Sequence, residues 1–216
     1  NDHFSEAGIV YTRTRKRADG MARWLQDKGL NALPYHAGMD GRTRKVHQQR
    51  FLREDNIIIV ATIAFGRGLD KPDVRFVAHL DLPSSMEAYY QETGSSGRDG
   101  QPADAWMIYS MADVVAMRRL LETSDGDAVF KRIQQQKLEA LFGYCESAAC
   151  RRQILLGYFG EAYPDACGNC DTCSQEIEVW DGSVAAQKAL SCVYRTGQRF
   201  GAVHLTDVLT GNRTER

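Results

Sequence analysis

Ile57-Ile-Ile-Val-Ala61, running directly into Thr62-Ile-Ala-Phe-Gly-Arg-Gly-Leu-Asp70, is the stretch on which the fold turns. A continuous apolar run rich in β-branched residues, with no polar alternation, suits a strand covered on both faces, and such strands belong to parallel sheets packed between helices. Upstream, Gly8-Ile-Val-Tyr11 reads as a second buried strand. It is followed by Ala18, Met21, Ala22 and Leu25 at i, i+3, i+4 and i+7, a helical stripe that faces a core. The alternation continues with strands at Ala32–Tyr35, Arg75–Leu80 and Ala105–Tyr109 and helical stretches around Thr43–Leu52 and Met86–Thr93. This pattern predicts an α/β lobe built on a parallel sheet. From Met111 the pattern turns helical, with Val114, Met117 and Leu121 on one face and then Phe130, Ile133, Leu138, Leu141 and Phe142. A further apolar pattern begins after Ser174, over Val184–Tyr194 and Val203–Leu209.

At 216 residues and 43% hydrophobic, the chain can bury a core of its own, and its net charge of −1 excludes any global basicity that would announce nucleic acid. Charge is nevertheless uneven. Residues 1–50 hold ten Lys/Arg against five Asp/Glu, clustered in Arg13-Thr-Arg-Lys-Arg17 and Arg42-Thr-Arg-Lys45, and local patches of this kind can bind phosphate. No apolar stretch is long enough to span a bilayer, and Asn1–Arg17 has no signal-peptide core, so no membrane partner and an intracellular location are expected. The first and last residues both read as cuts within a longer pattern.

Cys167, Cys170 and Cys173 form a C-x2-C-x2-C array, and Cys150 precedes it with sixteen residues in between. Thiolates spaced this way on tight turns can converge on one tetrahedral Zn²⁺, so a structural zinc site is predicted. Cys145 competes with Cys150 for the fourth position. If Cys145 to Phe159 were one helix, positions five apart would lie about 140° apart around its axis, and only one of the two could face the cluster. Spacing alone leaves that choice open. Cys192 lies outside the array and reads as a buried small hydrophobe.

Two loops concentrate the remaining chemistry. The Ala61–Asp70 segment places a hydroxyl, two glycines and a carboxylate after the most strand-like run, a position suited to phosphate and ribose contacts. In Tyr89-Tyr-Gln-Glu-Thr-Gly-Ser-Ser-Gly-Arg-Asp-Gly100, Arg98 sits among glycines that let the backbone bring it close to a partner, where it could stabilise a transferring phosphoryl group. Taken alone, the first loop is explained about as well by an ordinary glycine-containing turn, and the second better by a capping arginine in a flexible turn.

Together, Ile9-Val-Tyr11, Tyr35-His-Ala-Gly38, Ala61-Thr-Ile-Ala-Phe-Gly66, Lys71-Pro-Asp-Val-Arg-Phe-Val77, Glu87-Ala-Tyr-Tyr-Gln-Glu-Thr-Gly94 and Gly97-Arg-Asp-Gly100 closely resemble the RecQ family of superfamily 2 DNA helicases. The resemblance continues through Tyr144-Cys-Glu-Ser147, Cys150-Arg-Arg-Gln153 and Cys167-Gly-Asn-Cys-Asp-Thr-Cys173. It implies a RecA-like second motor lobe over residues 1–110, a helical zinc-binding domain over 111–177 and the start of a winged helix over 178–216. It also implies that Cys150, with Cys167, Cys170 and Cys173, holds the zinc. Thr14 and Arg15 fall on the first motif of this lobe, and Thr62 on a hydroxyl that contacts the DNA backbone. Asp70 falls near the nucleotide, and Gln91 and Arg98 on the motif facing ATP, with Arg98 as the arginine finger.

Ser95 departs from the family pattern, which has a further arginine there, and removing such a charge-assisted donor costs on the order of 10²-fold or more in rate. Arg67 stands where the family usually has Met. No Gly-Lys dipeptide and no Asp-Glu-x-His segment occurs, so the elements that cradle the β- and γ-phosphates and hold Mg²⁺ are expected in a first lobe preceding Asn1. The resemblance thus implies part of an ATP-dependent 3′ to 5′ DNA helicase. Its expected partners are DNA, ATP with Mg²⁺, and the first lobe. The competing expectation is a nucleic-acid-binding or docking module that has lost catalysis.

Overall fold

The computed structural model describes residues 3, 5–62, 65 and 71–212. They divide into two compact units, 1–167 and 168–216. The first is organised around five parallel strands, β1 (Gly8–Tyr11), β2 (Asn31–Tyr35), β3 (Ile57–Ala61), β4 (Phe76–His79) and β5 (Asp104–Met107), in the order β2-β3-β1-β4-β5. Ile57–Ala61 is buried along its whole length, as its unbroken apolar run requires of an interior strand. It pairs with β1 on one side (Ile9 opposite Ile59) and with β2 on the other (Leu33 opposite Ile59).

Because side chains alternate across a strand, the two faces of the sheet make two cores. Ile9, Tyr11, Leu33, Ile57, Ile59 and Val77 pack with Phe51 of helix α2 (Gly41–Arg53). Val10, Ile58, Val60 and Ala78 pack with Ala18 and Ala22 of helix α1 (Arg15–Asp27), and Met21 and Leu25 close over them, which is the stripe the spacing predicts. Thr14 caps α1 through its hydroxyl, and Asp40 caps α2 through its carboxylate, each accepting a backbone N–H of the first turn.

Helix α3 (Met86–Thr93) leads to three more helices, α4 (Met111–Glu122), α5 (Ala128–Glu146) and α6 (Arg151–Tyr158). Met86 and Tyr89 of α3, Val114 of α4, and Leu141 and Tyr144 of α5 form a third core with Leu82, against which Ile154 and Leu155 of α6 pack. The helical segment after Met111 and the α/β lobe therefore share buried surface. Arg13 strengthens the join: its Nη2 lies 3.0 Å from Asp113 on α4, and its backbone N–H donates to Asp81 at 2.9 Å.

The single helix considered for Cys145 to Phe159 is absent. α5 ends at Glu146, Ser147 is extended, and α6 starts after Cys150. The Ser147 hydroxyl accepts the Ala149 N–H at 3.1 Å, a local bond that competes with continuing the helix. In the second unit, the one-turn helix α7 (Asp171–Ser174) is followed by α8 (Ser183–Arg195) and α9 (Ala202–Thr210), which match the two apolar stretches read after Ser174. Among the described residues, no helix is long and apolar enough to cross a membrane.

Candidate functional site

The sheet presents two chemically distinct edges. Beyond the carboxyl ends of the strands, Thr12 donates its N–H to Ala61 at 2.8 Å and Thr62 donates its own to Tyr35 at 3.2 Å, so the segments that follow β1, β2 and β3 lie side by side. Thr62 is half-buried there, whereas Thr14 and Arg15 are exposed. The Thr14 hydroxyl is already engaged, accepting the Arg17 N–H at 3.2 Å. Arg15 lies along Gly38: a Cβ at that glycine would meet the Arg15 Cδ at 2.9 Å and the His36 Nδ1 at 3.3 Å. Gly38 thus lets the arginine stem share one surface with the Tyr35-His-Ala-Gly38 segment. His36 is itself buried, with Nε2 3.0 Å from Asp19. The structure therefore brings Thr14, Arg15 and Thr62 to one edge.

Arg98 lies at the opposite edge. Its loop is tied to the segment entering β4, with Gly97 N–H donating to Val74 at 3.0 Å and Asp99 N–H to Pro72 at 3.3 Å. Gly97 has φ +63, a left-handed conformation that disfavours side chains, and a Cβ there would also approach the Gln101 carbonyl to 3.1 Å. Arg98 is exposed and donates Nε–H to the Gly94 carbonyl at 3.1 Å. Gln91 is exposed near the end of α3. Asp70 and Arg67 lie outside the described residues.

The side-chain partners around this loop escaped sequence reasoning. Ser95, at the departure from the family pattern, is buried and donates its hydroxyl to the Glu92 carbonyl at 2.7 Å. The Glu92 carboxylate holds Nε2 of buried His79 at 2.7 Å, and the His79 ring stacks on Tyr11, whose hydroxyl donates to the Phe65 carbonyl at 2.6 Å. Arg75 clamps Asp99, with Nη2 2.6 Å from both carboxylate oxygens. Apart from the local Ser95–Glu92 bond, these pairs are distant in the chain and carry no local sequence signal. The family segments that contain them could only have suggested that their side chains have work to do.

The metal site is assembled where α6 begins. Sulfurs of Cys150, Cys167, Cys170 and Cys173 all lie within 4.8 Å of one another. A tetrahedral ion with Zn–S bonds of about 2.3 Å needs sulfurs about 3.8 Å apart, a spacing that falls within this limit, and the four-cysteine cluster fits structural Zn²⁺. Burial opposes ionisation of Cys150, but backbone N–H groups of Cys167, Gln153 and Arg152 directed at its sulfur outweigh that and lower its pKa. The Cys167 N–H lies 3.3 Å from that sulfur. Cys145 stands apart at the end of α5, where burial pushes its thiol up to about 11. The break at Ser147 thus separates the two cysteines, and Cys150 joins the cluster.

Comparison with known proteins matches this arrangement in chain order. A model described as the helicase conserved C-terminal domain matches residues 1–100, one described as RecQ zinc-binding matches 111–174, and one described as the RQC domain matches 176–216. The chain is similar to the ATP-dependent DNA helicase RecQ of Haemophilus influenzae, 44% identical over 211 residues, covering 98% of this chain and 34% of that protein. It is similar to that of Bacillus subtilis at 40% over 211 residues, covering 98% and 36%. It is also similar to the RecQ-like DNA helicase BLM of Xenopus laevis at 43% over 181 residues, covering 79% and 13%. The chain spans about a third of the length of the two bacterial relatives, 34% and 36%.

Proposed function

This chain belongs to the RecQ family of DNA helicases, and from that premise we propose that it serves as the second motor lobe and zinc module of an ATP-dependent 3′ to 5′ DNA helicase acting in replication, recombination and repair. The observation that carries the reading is the division of labour between the edges of one sheet. Thr14, Arg15 and Thr62 gather at the carboxyl edge and Arg98 lies at the amino edge; on this reading the first group grips the DNA backbone and Arg98 meets ATP. Gln91 and Asp70 complete the nucleotide side. A first RecA-like lobe of the same protein supplies the phosphate cradle and the Mg²⁺ ligands. Residues 1–110 form the lobe, 111–177 the zinc-binding domain and 178–216 the start of a winged helix. Single-stranded DNA and duplex junctions are the substrates, and the protein works inside the cell, on the nucleoid if it is bacterial.

An arginine finger lowers a barrier only when another element holds nucleotide and metal in line. The isolated chain is therefore expected not to turn over ATP, and joining it to its first lobe should produce DNA-stimulated hydrolysis. Steady-state ATPase assays on both forms test this, and robust hydrolysis by the isolated chain would sink the reading.

A second reading rests on Ser95, whose burial and bond to Glu92 leave the finger loop without the family's additional arginine. On that reading the lobe is a non-catalytic nucleic-acid-binding module, and the joined protein would bind DNA without hydrolysing ATP.

Either reading places basic groups along a DNA backbone. With a net charge of only −1 and the cations clustered locally, binding by the isolated chain should be weak, indifferent to sequence and steeply reduced by salt. Titrating single strands of two sequences at two salt concentrations measures this. Affinity insensitive to salt, or set by base sequence, would contradict a backbone-tracking surface.

A further inference from the structure

Arg75 spends its donors on one task. Nε donates to the Asp73 carbonyl at 3.2 Å, Nη1 to the Pro102 carbonyl at 3.0 Å, and Nη2 to both oxygens of the Asp99 carboxylate at 2.6 Å, with a longer 3.4 Å contact to the Pro72 carbonyl. These partners lie on both sides of a gap in sequence. Asp73 and Pro72 belong to the segment entering β4, while Asp99 and Pro102 lie on the C-terminal side of the turn that presents Arg98. The guanidinium side chain is only 14% exposed, and the Asp99 carboxylate 29%.

Asp99 is the immediate neighbour of Arg98, and its carboxylate also accepts the Gln101 N–H at 3.1 Å, which fixes the turn on its far side. Hydrogen bonding from Arg75 holds the Asp99 carboxyl below its ordinary value, so the clasp remains ionised across neutral pH and is lost only as pH falls through that lowered value. A planar fork holding one carboxylate and backbone carbonyls from two chain segments restrains orientation as well as distance.

We propose that Arg75, acting through Asp99, is a positioning residue for Arg98: it fixes the turn so that the finger is already aligned before the lobes close on nucleotide. This deepens the reading of Arg98 as an arginine finger and rests on it. Catalytic groups lose on the order of 10²-fold in rate for displacements near 1 Å, so freeing the turn should be felt in turnover before it is felt in nucleotide binding.

The test uses the full-length enzyme and its DNA-stimulated ATPase. Asp99→Ala and Arg75→Ala should each lower kcat on the order of 10²-fold with little change in the KM for ATP. Asp99→Asn keeps one oxygen for Arg75 and Gln101 but loses the charge and sets an amide N–H against Nη2, so it should recover only part of that loss. In an Arg98→Ala background, adding Asp99→Ala should change nothing further, because a positioning residue has nothing left to position. Asp99 lies on a surface turn, so its variants keep the test open even if Arg75→Ala folds poorly. Unchanged kcat in Asp99→Ala beside a crippled Arg98→Ala would overturn the positioning role alone. Losses that multiply in the double variant would do the same. An Arg98→Ala enzyme as fast as the parent would instead remove the finger itself.

Discussion

Replacing Arg98 by alanine in the enzyme that carries both motor lobes is expected to reduce DNA-stimulated ATP turnover on the order of 10³-fold or more, with ATP affinity little altered. The asymmetry follows from when the interaction is made. Charge builds on the equatorial oxygens as the phosphoryl group transfers, so a guanidinium placed there stabilises the transition state more than bound ATP. A 10³-fold loss corresponds to about 4 kcal/mol, large for one residue but ordinary for a charge-assisted contact in a site closed to water. The side chain is exposed on its turn, with Nε–H on the Gly94 carbonyl, so truncation removes no core packing and stability should hold. Turnover measured alongside equilibrium binding of a non-hydrolysable nucleotide checks both halves. Parallel losses in affinity and turnover would mean that the residue binds ATP without favouring the transition state.

The second large effect concerns the metal. Cys170→Ala is expected to abolish stoichiometric zinc and unfold the cysteine-bearing segment, whereas Cys145→Ala should keep one zinc per chain. Structural zinc contributes roughly 10–16 kcal/mol of binding free energy that is also folding free energy, far more than local packing in so small a segment can replace. Cys170 begins the single turn of α7, whose Cys173 and Ser174 N–H groups both return to its carbonyl, so ligand geometry and backbone geometry are set together. Cys145 packs instead against the core shared by α3, α4 and α5, and losing its sulfur leaves only a small cavity. Metal analysis and proteolysis of the two variants decide the matter, and equal zinc loss in both would refute the ligand assignment.

Much of this was legible because the decisive signals are local. An unbroken apolar run such as Ile57–Ala61 has few ways to be buried, and all five strands lie within a residue or two of where their composition places them. The cysteine spacing is similarly local. One local feature escaped because helical composition continues past Glu146: the extended backbone at Ser147, with the Ala149 N–H on its hydroxyl, makes the break that separates Cys145 from Cys150. The rest of what escaped depends on distant partners. Motif order places Thr62 before Arg98 in the chain, but that they occupy opposite edges of the sheet follows from strand direction and register. Arg75 and Asp99 are 24 residues apart, and nothing in either neighbourhood announces the other.

Arg13 gives the sheet a mechanical reach beyond itself. It ties the turn after β1 to Asp81 beyond β4 and to Asp113 on α4, directly above the core that α3 shares with α4 and α5. Arg151, at the start of α6, in turn donates to the Tyr144 and Cys145 carbonyls at the end of α5. These bonds run from the sheet through α4 and α5 to the residue beside Cys150, so this part of the zinc module is bridged to the lobe by side chains as well as by its backbone. A displacement of the sheet would therefore reach the first cysteine of the cluster through packed helices and side-chain bridges, and not through the chain alone.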